Sequence, residues 1–82
     1  MNAIFQARLD TSEDEDEVWV SKMGAIPFIP TLGMMFRPSA SDDFMAVEDV
    51  YYCGETGKLE VHLSPHAGTL DLLLSRGWHL SA

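Results

Sequence analysis

The sequence predicts an α+β domain that is mainly β: a small antiparallel sheet of four or five strands, curled toward a partly open barrel, with one short C-terminal helix. Short runs in which apolar and polar residues alternate, separated by turn-forming residues, predict the strands. A change to helical spacing after Pro65 predicts the helix. The length of 82 residues fits a single domain, residues 1–82, with one modest core.

Two strands are predicted in the N-terminal part of the chain. Residues 2–9 form the first, and one of its faces carries Ala3, Phe5, Ala7 and Leu9. Residues 18–23 form the second, with Trp19 and Met23 on the face opposite Val20. The five consecutive acids between the two strands repel one another and have low strand propensity, so we expect them in a solvated connection.

The segment of residues 24–37 is apolar but contains Pro27 and Pro30, which cannot donate a backbone hydrogen bond to a neighbouring strand. We expect a bend here, followed by a short third strand over residues 34–36. The bend is expected to carry inward the side chains of Ile26, Phe28 and Ile29. Residues 38–43 have the composition of a surface loop.

A hairpin formed by residues 44–53 and 58–63 is the strongest structural signal. Gly54 and Gly57 lie between its strands and can supply the positive φ angles of a tight turn. Closing the hairpin there pairs Cys53 with Lys58, Tyr52 with Leu59, Val50 with Val61 and Asp49 with His62. Simple alternation then places on one apolar face, interrupted by Glu48, the side chains of Phe44, Ala46, Val50, Tyr52, Leu59, Val61 and Leu63. The opposite face is expected to carry Met45, Val47, Asp49, Tyr51, Lys58, Glu60 and His62 and to meet solvent.

The C-terminal helix is expected from Thr69 to Arg76. Thr69 is a suitable N-cap, Asp71 lies in the first turn, where the helix dipole favours a carboxylate, and Gly77 favours a stop. A helix of about two turns is not stable alone in water, so it must pack on the sheet. The packing face is expected to carry Leu70, Leu73 and Leu74, with Trp78 folded back beneath it.

The charge of the chain is acidic and unevenly distributed. Thirteen acidic residues against five basic ones give a net charge of −8, and six of the acids lie within residues 10–17. Such a charge repels nucleic-acid phosphates and anionic lipid headgroups, so we expect no direct binding to nucleic acid or to membranes. Cys53 is the single cysteine, and the chain lacks a signal sequence and an apolar run long enough to span a bilayer, so a cytoplasmic location is expected.

Motifs that carry catalysis or bind cofactors are missing from the sequence. It contains no glycine-rich phosphate-binding motif and no GxSxG, and Cys53 is expected to lie far along its strand from His62. His62 and His66 are four residues apart, but a strand end and a proline separate them, and we expect His66 and His79 to be exposed. The acidic run has no glycine for the sharp turn of a calcium loop. We therefore expect no enzyme activity, no metal and no cofactor.

Two groups of residues are candidates for binding a partner. The first is the acidic run itself, which consists of Glu13, Asp14, Glu15, Asp16 and Glu17. Its alternative role is to keep the protein soluble. The second is the pair Trp19 and Tyr51, because large aromatic side chains are enriched in interface cores. In so small a protein such residues more often belong to the core, but exposure of Tyr51 beside Trp19 would favour binding.

The order of strand, acidic connection, apolar IPFIP segment, loop, long hairpin and terminal helix ending in GW resembles small SH3-like, partly open barrel domains. It also looks like the short acidic proteins of bacterial chromosomes and mobile elements. The resemblance rests on layout, and no functional residue is carried over from it. It implies that the chain could inhibit host nucleic-acid machinery, CRISPR complexes included, by occupying a basic surface.

The function we expect is that of a non-catalytic binding module for another protein, one with a basic surface. The acids would supply long-range attraction, and Trp19 and Tyr51 would supply the short-range contact. The alternative belongs to another class: a subunit that self-associates through an open sheet edge or through the proline-containing apolar segment. The chain is accordingly expected to be a monomer or a homodimer.

Overall fold

A computed structural model describes residues 2–10 and 18–81 of the chain. Within these residues the chain forms six strands and one helix. In chain order the elements are β1 (Asn2–Arg8), β2 (Trp19–Ala25), β3 (Met35–Phe36), β4 (Met45–Cys53), β5 (Lys58–Leu63), α1 (Leu70–Ser75) and β6 (His79–Leu80). The protein is therefore mainly β with one short helix, as the sequence predicts, and the described elements include a sixth strand, β6, which the sequence pattern does not predict.

All six described strands belong to one sheet, in the order β3-β4-β5-β1-β2-β6. β1 and β2 form an antiparallel hairpin, and so do β4 and β5, but β1 and β5 run parallel where the two hairpins meet. The expectation of an antiparallel sheet was therefore wrong, because the sheet is mixed. Since β3 and β6 lie at opposite edges and the sheet does not close, the SH3-like barrel is not confirmed either.

The hairpin of β4 and β5 has the register predicted from its turn. Asp49 pairs with His62, and the pairing continues through to the turn as expected. Before Asp49, however, the register shifts between Val47 and Asp49, so that Val47 pairs with Leu63 and Glu48 is the extra residue of a β-bulge. The bulge reverses the alternation in the first half of β4 and turns Met45 and Val47 toward the core.

This bulge overturns the predicted faces at the start of β4. Met45 and Val47 are 4% and 2% exposed, whereas Phe44, which was expected inside, is 57% exposed. With the extra residue, Val47 and Val50 both face inward while two successive acids, Glu48 and Asp49, both remain exposed. Simple alternation cannot do this, because it would send one of the two acids into the core.

The hydrophobic core lies on one side of the sheet, here called the inner face. The core contains the apolar face of β1 that the sequence predicts, together with inward-facing residues of β2, β4 and β5. The segment between β2 and β3 crosses this face and buries Ile26 and Pro30, but Phe28 and Ile29 are exposed, so they were wrongly expected inside. The core cluster on this face consists of Ala3, Phe5, Ala7, Leu9, Val20, Ile26, Met45, Val47, Leu59, Val61, Leu63, Leu73 and Trp78.

Helix α1 covers part of the inner face, as its apolar residues predict. The Thr69 hydroxyl accepts a hydrogen bond from the backbone N–H of Leu72, which confirms the N-cap, and Gly77 ends the helix with φ of +91°. Leu73 and Trp78 are buried, but Leu74 is 43% exposed. Trp78 directs the chain back to the sheet, where His79 and Leu80 pair with β2 as the edge strand β6.

The described residues contain no helix long and apolar enough to cross a membrane.

Candidate binding site

The side of the sheet opposite the core, here called the outer face, leaves its side chains accessible. On β1, β2, β4 and β5 the residues that alternate with the core residues point to this side. None of the described side chains on it is buried. It carries Ile4, Gln6, Arg8, Trp19, Ser21, Met23, Asp49, Tyr51, Glu60 and His62. A broad surface of mixed chemistry is therefore open to a partner.

Three rings form a continuous row on the outer face, here called the aromatic band: Trp19, His62 and Tyr51. The ring centroids of His62 and Tyr51 are 5.0 Å apart, and those of His62 and Trp19 are 6.3 Å apart. Both distances suit contact between tilted rings. Because β1 lies between β2 and β5 in the sheet, the band passes over β1 and joins strands that are not neighbours.

Two carboxylates lie beside the aromatic band. The Nε2 atom of His62 is 3.0 Å from Oε1 of Glu60, and Asp49 is paired with His62 across the hairpin. Tyr51 is paired with Glu60 and is 53% exposed. Aromatic faces and carboxylates both attract cations, so this end of the band is chemically suited to an arginine or lysine side chain.

The structure brings together Trp19 and Tyr51, the two aromatic residues that were predicted to bind a partner, and inserts His62 between them. His62 was not among the predicted site residues, although the predicted hairpin register already placed it opposite Asp49. The acidic residues Glu13, Asp14, Glu15, Asp16 and Glu17 lie outside the described residues. On the described residues that flank this run, the backbone N–H of Leu9 donates a hydrogen bond to the carbonyl of Val18.

The three histidines are placed differently from one another. His62 lies in the aromatic band and His79 is exposed, as expected, but His66 is only 4% exposed, so its predicted exposure was wrong. The backbone of His66 explains its burial, because it donates to the carbonyl of Arg8 and accepts from the N–H of Asp10, which extends the contact between β1 and β5. No three possible metal ligands cluster anywhere in the described parts of the chain.

Cys53 ends β4 beside the hairpin turn, as the sequence predicts, and its side chain is exposed. Hydrogen bonds from the side chain and the backbone of Thr56 lower the pKa of its thiol. The thiol lies two residues along β4 from Tyr51, and the register pairs Cys53 with Lys58 rather than with a histidine. Among the described residues, the cross-strand partner of this thiol is therefore a lysine and not a histidine base.

A buried polar cluster on the inner face was not found from the sequence. Asp42 has a side chain with no exposed surface, and it accepts hydrogen bonds from Lys22 Nζ at 2.9 Å, Ser39 Oγ at 2.8 Å and Trp78 Nε1 at 2.8 Å. Lys22 also donates to the carbonyl of Arg76 at 2.7 Å. These bonds tie the loop before β4 to β2 and to the end of α1. Because every one of these partners is already engaged, the cluster is suited to holding the fold together.

Comparison with protein-family models, with curated proteins and with solved structures finds no match to this chain.

Proposed function

We propose that this protein is a non-catalytic binding module whose partner is another protein with a basic surface. The aromatic band carries the proposal, because Trp19 and Tyr51 lie on either side of His62 on an accessible sheet face, next to Asp49 and Glu60. Aromatic residues at the centre of an interface are frequent hot spots of binding energy. The carboxylates beside these aromatic residues favour a partner that presents an arginine or lysine side chain to the band.

The charge of the chain supports a basic partner. The net charge is −8, and the acidic run of residues 13–17 precedes Trp19 by a single residue, Val18. Long-range attraction of this kind speeds association and weakens as salt screens it beyond about 10 Å at 0.1 M. Arg8 is paired with Trp19, whereas Tyr51 is paired with Glu60, so a cation of the partner is better accommodated at the Tyr51 end of the band.

In its most specific form, the proposal makes the protein an inhibitor of the phage or mobile-element type, comparable to an anti-CRISPR protein. Such an inhibitor would occupy a basic nucleic-acid-binding surface and exclude the nucleic acid from it. The acidity of the chain supports this form, because negative charge competes with phosphates for the same lysines and arginines. The aromatic band on the outer face would add contacts with the partner protein beyond those that a nucleic acid makes with its lysines and arginines.

Binding rather than catalysis is proposed because of where the titratable groups lie. His62, Asp49 and Tyr51 do come together, and such a group could in principle transfer protons. They lie on an accessible sheet face, however, with Tyr51 53% exposed. Catalytic groups usually act in a site that excludes water, which an open face of this kind does not provide.

Replacing Tyr51 with alanine is expected to weaken binding to a basic partner about tenfold, because removal of an interface hot spot costs more than 1 kcal/mol. A synthetic peptide of alternating arginine and glycine serves as the probe, and surface plasmon resonance at low and high salt measures both rate constants. The main effect is expected on dissociation.

Tyr52→Ala is the matched control for this measurement. Tyr52 is the next residue of β4 and is 60% exposed, but its side chain points to the other side of the sheet. Equal losses of affinity in the two variants would show that the aromatic band is not the binding surface.

Replacing all five acids of residues 13–17 with serine should slow association with the basic peptide without changing its dissociation. An unchanged association rate at low salt would show that these acids do not attract the partner.

We propose self-association as a second candidate function, because one edge of the sheet is open. β3 is only two residues long and pairs with Met45 and Ala46, so in the described part of the chain no strand pairs with that edge of β4 from Asp49 to Cys53. An unpaired strand edge can pair with the same edge of a second copy. Apolar side chains exposed in and around β3 add to this surface: Ile29, Leu32, Met35 and Phe44.

The self-association proposal predicts a dimer at high protein concentration. Size-exclusion chromatography with light scattering should show the mass rising toward twice 9.1 kDa, more readily in high salt, where repulsion between acidic copies is screened. Met35→Lys places a charge on the edge strand, where Met35 is 59% exposed, and should restore the monomer. A constant monomer mass at every concentration and salt level would exclude this candidate.

A further inference from the structure

Two buried nitrogen atoms outside the aromatic band point to the same oxygen. His66 lies between β5 and α1, and Arg76 lies directly after α1. The Nε2 atom of His66 is 3.6 Å from Oδ2 of Asp43, and the Nη1 atom of Arg76 is 3.7 Å from that same oxygen. The chain thus brings a histidine, an arginine and a carboxylate from three separate segments to one place.

The hydrogen bonds of His66 fix which of its nitrogen atoms is a donor. The backbone N–H of Gly68 donates to Nδ1 at 2.8 Å, so Nδ1 presents a lone pair, and in the neutral ring the proton is on Nε2. Glycine at position 68 permits this close approach, because a Cβ atom here would lie 2.7 Å from Cε1 of His66. Nε2 is therefore an N–H donor with a fixed direction.

Neither donor has an acceptor at hydrogen-bond distance. His66 is 4% exposed, and its Nε2 atom and the Nη1 atom of Arg76 are both buried and without a hydrogen-bond partner among the described residues. Asp43 does not fill this role, because its oxygen lies too far from both and its side chain is 70% exposed. A buried donor without an acceptor is costly, so an acceptor is expected to bind here.

We propose that His66 and Arg76 form a binding site for an oxyanion, a phosphate or a carboxylate group, and that Asp43 is a displaceable carboxylate at its entrance. A guanidinium and a neutral imidazole N–H directed at one point are the donors that such a group prefers. Asp43 occupies the entrance without closing the hydrogen bonds, so its negative charge lowers the affinity for an incoming anion. The site is separate from the aromatic band and does not depend on the proposed partner.

Titration of the isotope-labelled protein with inorganic phosphate and, separately, with acetate tests the site. Backbone amide signals are followed by NMR at neutral pH and at constant ionic strength set with sodium chloride. Saturable shifts are expected at Gly68 and Arg76. Asp43→Asn should bind about tenfold more tightly, because a charge near the anion is removed. Saturation by only one of the two anions would support the site and identify the group it takes.

Two further variants make the result specific. Arg76→Gln should abolish the saturable shifts, while Asp71→Asn, which removes a carboxylate from the exposed surface of α1, should leave the affinity unchanged. Equal tightening in the Asp71 and Asp43 variants, or unchanged binding in Arg76→Gln, would show an adventitious ion only and would overturn the proposal. The absence of saturable shifts from both the natural protein and Asp43→Asn would also overturn it.

Discussion

Replacing Asp42 with alanine is expected to lower the free energy of unfolding by about 3–5 kcal/mol, the usual cost of breaking a buried ion pair by removing one partner. The variant leaves Lys22 Nζ and Trp78 Nε1 without the carboxylate to which they donate at 2.9 and 2.8 Å. A domain of 82 residues has a total stability of roughly 4–12 kcal/mol. The loss is therefore a large fraction of the total stability, and urea denaturation followed by circular dichroism should show a midpoint at a much lower urea concentration.

Asp43→Ala is the matched control, because it removes the neighbouring carboxylate of the same loop. Asp43 is mostly exposed, and its two ion-pair distances are 3.6 and 3.7 Å, so its loss should change the free energy of unfolding by less than about 1 kcal/mol. If both variants lost the same stability, the role assigned to the buried cluster would be incorrect.

The stability supplied by Asp42 should depend on pH. Burial raises the pKa of its carboxyl. Hydrogen bonds from Trp78, Lys22 and Ser39 lower that pKa by more than burial raises it, so the pKa in the folded protein lies below its ordinary value. The contribution is therefore fully present above the ordinary aspartate pKa of about 3.9 and is lost as the pH falls through the folded-state pKa. The stability difference between the natural protein and Asp42→Asn should shrink in that acidic range.

Met45→Ala is expected to lower the free energy of unfolding by about 2–5 kcal/mol, whereas Phe44→Ala should cost less than about 1 kcal/mol. Met45 is 4% exposed in the core, while Phe44 is 57% exposed, with the guanidinium carbon of Arg37 lying 4.8 Å from its ring centroid. The order is the reverse of what simple alternation along β4 predicts. Urea denaturation of the two variants side by side measures it.

The comparison of these two variants tests the β-bulge at Glu48 directly. A larger loss in Phe44→Ala than in Met45→Ala would mean that β4 alternates without interruption. Deleting Glu48 gives an independent test, because Val47 would then directly precede Asp49, as their partners Leu63 and His62 are already adjacent. Regular alternation would keep Met45, Val47 and Val50 on the inner face, so the deletion is expected to preserve the fold.

Part of the candidate site could be predicted from the sequence. The register of the β4–β5 hairpin follows from its turn, and the alternation of β2 already places Trp19 on the face opposite Val20. What could not be predicted is that the two hairpins pair through β1 and β5. That pairing brings Trp19 within reach of His62 and so creates the aromatic band.

The sequence by itself determined the local features: the positions of most strands, the turn and register of the second hairpin, and the capped helix that begins after Thr69. Each follows from residues near one another in the chain, whose spacing and conformational preferences act over a few positions. The same local rule failed at Glu48, because a bulge depends on which side chains must be buried together.

Only the tertiary structure decided the parallel pairing of β1 with β5, the burial of His66 and the cluster around Asp42. Asp42 and Trp78 are 36 residues apart, and Lys22 and Asp42 are 20 apart, so no periodic pattern links them. Such contacts form when packing of the whole chain brings polar groups out of water and leaves them only one another as partners. The physical reason is that desolvation, unlike strand or helix propensity, is set by the entire fold.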